Sequence, residues 1–148
     1  MIASYSQTSD TFLVYQDHFY PNELAMHGSC YAHALRQEKL TVYSGNTVKE
    51  KFDSCPAISQ NVSFSLIKAF ESVTVDGYTV TPLPARHMIG SDALFYIIES
   101  DGKVLLYAHD TGYFFDEVFD FIKEKGFLFD LISYDCTNCE LPISDQGI

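Results

Sequence analysis

Leu105-Leu106-Tyr107-Ala108-His109-Asp110-Thr111-Gly112 is an apolar run that breaks off in polar, turn-forming residues. It reads as a strand that delivers an acidic side chain at its end. Upstream, Pro82-Leu83-Pro84-Ala85-Arg86-His87 repeats the arrangement with a histidine, and Phe12-Leu13-Val14-Tyr15-Gln16-Asp17-His18 does so with an Asp-His pair. Carboxylate oxygens and imidazole nitrogens set at strand ends have the chemistry of a metal site.

The flanking segments extend this reading. Leu94 to Glu99 and Val104 to Tyr107 surround Ser100-Asp101-Gly102, a hairpin signal, and Asp76-Gly77 marks a second hairpin among Val73, Val75, Tyr78 and Val80. The nearly continuous apolar character of the 94–107 pair predicts a sheet covered on both faces. Phe115, Val118, Phe119 and Ile122 fall at i, i+3, i+4 and i+7, which predicts a helix over Phe114 to Lys125. Lys123, Lys125 and Gly126 supply its C-terminal charge and left-handed cap. Phe127 to Tyr134 then reads as a strand ending at Asp135. Nearer the start, Thr11 to Gln16 reads as a buried strand, Pro21 with Asn22 to Met26 as a short helix, and Leu40 to Tyr43 as a strand. A helix is expected to begin near Thr47, whose spacing to Glu50 is that of a capping box, and Asn61 to Phe70 is expected to be helical or irregular.

The chain has 148 residues, 47% of them hydrophobic, and a domain of that size buries roughly two thirds of its unfolded surface, so one domain over 1–148 is expected. Aromatic residues make up 15%, which argues for a packed core over disorder. A formal charge of -11 with only 9 Lys and Arg opposes a phosphate-backbone partner, so no nucleic acid is expected. No apolar run nears the roughly 18 residues of a membrane span and no leader pattern is visible, so the expectation is a cytoplasmic protein without a membrane partner. Cys30, Cys55, Cys136 and Cys139 are too scattered for a disulfide scaffold. Cys136-Thr137-Asn138-Cys139 lacks the second pair a zinc knuckle needs, and the sequon Asn61-Val62-Ser63 reads as idle.

Taken together, the three strand ends resemble the metallo-β-lactamase superfamily, in its phosphodiesterase-like and tRNA-processing-nuclease-like branches. That family carries H-x-H-x-D-H after one strand, a histidine after a later one, a metal-bridging aspartate after the next, and a final histidine. Asp17 and His18 match the D-H of the first motif, His87 is similar to the later histidine, and Asp110 matches the bridging aspartate. The two leading histidines are missing: without a gap their places fall on Leu13 and Tyr15, whereas a short deletion within Val14 to His18 is the alternative we favour. The final histidine and the strands that usually precede the first motif are not found, so the resemblance is to a domain incomplete at both ends. His27, His33 and His109 match no ligand position and read as solvated or locally hydrogen-bonded.

The resemblance implies an α/β (α+β) fold, a partial αββα sandwich of mixed sheets flanked by helices. It implies zinc or manganese as cofactor and Asp17, His18, His87 and Asp110 as metal residues. Of about seven ligands that a two-metal centre shares, four remain. Asp17, His18 and Asp110 would make one three-ligand site with water in the fourth position, and His87 would belong to the neighbouring one. The expectation is a hydrolase domain with a depleted site, weak or lost activity and a phosphoester as substrate. The alternative is a non-catalytic, partner-binding remnant. Exposed sheet edges would then lead to a homo-oligomer or a domain-swapped dimer.

Overall fold

The computed structural model describes residues 11–13, 40–54, 62–87, 90–109 and 111–134. The chain divides into two compact units, Met1–Ile67 and Lys68–Ile148. In the first, strands β1 (Thr11–Leu13), β2 (Leu40–Ser44) and β3 (Val62–Leu66) form a wholly parallel sheet in the order β1-β2-β3. Parallel neighbours require a crossover, and helix α1 (Asn46–Asp53) supplies it between β2 and β3. Val48 and Phe52, one turn apart, form its buried face, with the Phe52 ring 5.2 Å from that of Phe64.

Two expectations in this unit are corrected. Helix α1 begins at Asn46, near Thr47 as expected, but its N-cap is Gly45, so the capping box of Thr47 and Glu50 is not formed. Val62-Ser63-Phe64-Ser65-Leu66, expected to be helical or irregular, is β3. Its apolar and polar residues alternate with a period of two, which fits a strand and cannot make a helical stripe.

The second unit is a five-stranded sheet in the order β4-β5-β6-β7-β8. Strands β4 (Val73–Val75), β5 (Tyr78–Pro84), β6 (Leu94–Ser100) and β7 (Lys103–Ala108) are antiparallel in sequence. Both expected hairpins are present with two-residue loops: Asp76 and Gly77 have φ of 49° and 84°, and Asp101 and Gly102 have 50° and 72°. Positive φ at both positions is the type I′ geometry that matches the twist of the flanking strands. Pro82 is accommodated inside β5 because it lies beyond the end of β4, and its carbonyl accepts Phe70 N–H at 2.8 Å on that open side.

Helix α2 (Asp116–Lys125) returns the chain so that β8 (Leu131–Tyr134) pairs in parallel with β7. Its first turn holds Asp116 and Glu117, its last Lys123 and Lys125, and left-handed Gly126 ends it, as the sequence predicts. The strand expected over Phe127 to Tyr134 is shorter. Phe127 to Asp130 form a loop in which Asp130 accepts Val104 N–H (2.9 Å) and Lys103 Nζ (2.7 Å). Those bonds, the lysine's first, hold the Asp130 carboxyl below its usual range.

The core of this unit is β6, where Leu94, Phe95, Tyr96 and Ile97 are all buried, as a strand covered on both faces requires. Burial, and then the charge of Asp92, push the Tyr96 hydroxyl above its usual range, so it stays protonated. From α2, Val118 is fully buried whereas Phe119 is 43% exposed, so the expected stripe is rotated toward Phe121, whose ring meets Phe70 at 5.0 Å.

Candidate functional site

Strand direction decides where the motif residues lie. Antiparallel pairing of β5 with β6 and of β6 with β7 makes β5 and β7 run the same way, and β8 runs with β7. Pro84, Ala108 and Tyr134 therefore end at one end of this sheet. The segments that leave there are Ala85-Arg86-His87 from β5 and His109-Asp110-Thr111-Gly112 from β7.

Backbone groups join these two segments across the start of β6. Arg86 N–H donates to Thr111 Oγ1 at 3.1 Å, and Gly112 N–H donates to Arg86 C=O at 3.0 Å. Ala85 N–H, donating to Ala93 C=O at 2.8 Å, fixes the first segment to the strand between them. Thr111 is buried at 6% exposure, so its bond is shielded from water. His87, half-buried, and the residues on both sides of Asp110 are thus tied into one place. Asp17, His18 and Asp110 themselves lie outside the described residues, as do the four cysteines.

His109 is hydrogen-bonded to the neighbouring strand β8 rather than locally. Its Nε2 shares a hydrogen bond of 2.5 Å with Ser133 Oγ, and its ring stacks on Tyr107 with centroids 4.9 Å apart. Arg86 is a cation at this end of the sheet. Its guanidinium carbon stands 4.6 Å over the Phe115 ring, a contact worth about 0.5–2 kcal/mol, and its Nε is buried with no hydrogen-bond partner among the described residues. Lys103, by contrast, sits at the opposite end of β7 in its pair with Asp130. Thr111 was not singled out by sequence reasoning. The only signal was a hydroxyl residue directly after the strand-end aspartate.

Imidazole and carboxylate donors suit zinc or manganese by type, and the tie joins the segment of His87 to the residues that follow Asp110 in sequence. Among the described residues no three His, Cys, Asp or Glu side chains are grouped to hold a metal ion. No helix among them is long and apolar enough to cross a membrane.

Comparison with known proteins places this arrangement. Residues 25–143 match the family model of the beta-lactamase superfamily domain. No curated protein matches the chain. Among solved structures it is similar to the metallo-beta-lactamase fold protein YhfI from Bacillus subtilis, at 13% identity and a TM-score of 0.58, covering 83% of this chain and 49% of that one. It is also similar to Zn(2+)-bound PqqB from Methylobacterium extorquens, at 16% identity and a TM-score of 0.49, covering 73% of this chain and 36% of that one. The chain thus spans less than half the length of these two structures. The family match covers most of the sequence, so the chain belongs to the beta-lactamase superfamily, and it has, in part, the metallo-β-lactamase fold.

Proposed function

We propose that this chain is a metal-dependent hydrolase domain, related to phosphodiesterases, with a depleted metal site and weak activity on phosphoesters. The observation that carries the reading is the pair of bonds from Arg86 to Thr111 and Gly112, which hold the histidine-bearing and aspartate-bearing segments together. His87 would offer an imidazole nitrogen and Asp110 a carboxylate, and the motif match adds Asp17 and His18. Bound zinc or manganese would supply an activated water and polarise a phosphoryl oxygen. The chain's own residues tie the two segments together, and the burial of Thr111 shields the bond that does so. The family match runs across residues 67 and 68, which supports reading both units as one domain over 1–148.

The test is metal retention. Purified protein loaded with zinc or manganese and then dialysed is expected to keep bound metal and to hydrolyse a generic phosphodiester slowly. Asp110→Ala is expected to weaken retention by at least about tenfold, as loss of an inner ligand should exceed the smallest outer-ligand effects. Equal metal content and equal rates in the two proteins would overturn the reading.

A second reading has its own observation. Among the described residues β8 pairs only with β7, and Leu131, Ile132 and Tyr134 on it are 60%, 56% and 41% exposed. An apolar edge strand of this kind is a template for another strand. We propose on this basis that the chain self-associates through β8. Light scattering should then give a mass that rises with concentration, and Ile132→Lys should return it to the monomer value. A constant monomer mass would end this reading.

A further inference from the structure

We propose that Arg86 is the phosphoryl-binding residue of this site, the group that takes the anionic oxygens of the substrate. The inference rests on the reading that this end of the sheet receives the substrate, and it adds the group that recognises it.

The chain holds 20 acidic and 9 basic residues, so a cation has carboxylate partners to choose from. Phe115, over which the guanidinium lies, directly precedes Asp116 and Glu117 in the first turn of α2. Both acids are exposed, yet among the described residues no carboxylate forms an ion pair with Arg86 and no acceptor meets its buried Nε. A buried Nε–H with no acceptor is unfavourable, and an oxyanion that meets this edge of the half-buried guanidinium is the complement that removes the deficit. The planar fork of N–H groups matches the oxygens of a phosphoryl group, which a single point charge would not.

Position points the same way. Arg86 directly precedes His87, and its two backbone bonds join it to Thr111 and Gly112, the residues that follow Asp110 in sequence. The Phe115 ring supports the guanidinium from one face without using its N–H donors, which preorganises it for an anion. Lys103 does not compete for this role, because Asp130 holds it at the far end of β7.

Arg86 is one of two arginines, the other being Arg36, so a nitrogen-15 spectrum contains two side-chain Nε–H signals. Metal-free protein is titrated with inorganic phosphate at constant ionic strength, with chloride as the control. The Arg86 signal, assigned by its absence from Arg86→Gln, is expected to shift saturably with phosphate and not with chloride. Arg86→Gln should weaken phosphate binding by at least about tenfold, the scale of one charge-assisted hydrogen bond. Arg86→Lys, which keeps the charge without the fork, should recover only part of it. An Arg86 signal that phosphate does not move, or phosphate binding by Arg86→Gln equal to that of the natural chain, would overturn the assignment. The first of these is read on the unaltered protein and does not depend on the variant folding. Zinc binding measured in parallel separates the two claims. Phosphate binding through Arg86 without zinc binding supports this inference and counts against the metal reading, whereas zinc binding with an unmoved Arg86 signal counts against this inference alone.

Discussion

Replacing Phe95 with alanine is expected to destabilise the protein by about 3–5 kcal/mol, the range for truncating a buried aromatic side chain. Phe95 is fully buried on β6, the central strand of its sheet, opposite Leu83 of β5. Its ring stacks on Phe114 with centroids 4.8 Å apart and an angle of 21°. Phe114 in turn meets Phe119 and Tyr134, each at 5.5 Å, so one ring anchors a cluster that spans the sheet, α2 and the end of β8. The cost combines lost apolar transfer with the unfilled space, because neighbours fixed in strands cannot collapse around it. Against the 5–15 kcal/mol or so that holds a typical domain folded, such a loss approaches unfolding. Urea denaturation followed by circular dichroism measures it. Phe95→Leu, which keeps most of the volume, should lose much less, and a loss below about 1 kcal/mol for Phe95→Ala would show that the stack carries no such weight. The consequence reaches the site, since Phe114 lies three residues after Thr111 and the stack fixes where the aspartate-bearing segment turns into the helix.

Sequence patterns made much of this unit legible because their causes are local. Asp76-Gly77 and Asp101-Gly102 require positive φ, which few residue pairs supply, and both turns formed where they stand. The charges at the ends of α2 and Gly126 after it likewise act within one turn. The misreadings came where one local cue competed with another. The alternation in Val62-Ser63-Phe64-Ser65-Leu66 spans only five residues, and the Thr47–Glu50 spacing offers a capping box although the cap of α1 is Gly45. In Phe127-Leu128-Phe129-Asp130 hydrophobicity suggested strand, but the Asp130 carboxylate bonds the start of β7 and delays pairing until Leu131. At the site, the residue types and the strand ends could be read directly, whereas the bond that joins them could not. Arg86 and Thr111 are 25 positions apart, and only the parallel run of β5 and β7 brings them together.

That bond supplies the sharpest test of how the site is held. Thr111→Val keeps the shape of a side chain buried at 6% exposure and removes the oxygen that accepts Arg86 N–H. The donor is then left without an acceptor in a shielded position, which costs about 1–3 kcal/mol. Gly112 N–H still donates to Arg86 C=O, so the segments should loosen without separating. Two measurements distinguish a positioning role from a general loss of stability. Hydrogen exchange at the Arg86 amide should accelerate far more in Thr111→Val than exchange within β6, because local opening needs only the lost bond. Zinc affinity should fall by about tenfold or more, the scale seen when groups that orient metal ligands are removed. Thr111→Ser retains the accepting oxygen and should restore both values, whereas a purely steric role for the threonine methyl would leave serine as damaging as valine. If exchange at Arg86 in Thr111→Val instead matches that of the natural chain, the hydroxyl does not hold the two segments, and His87 must be positioned by other contacts.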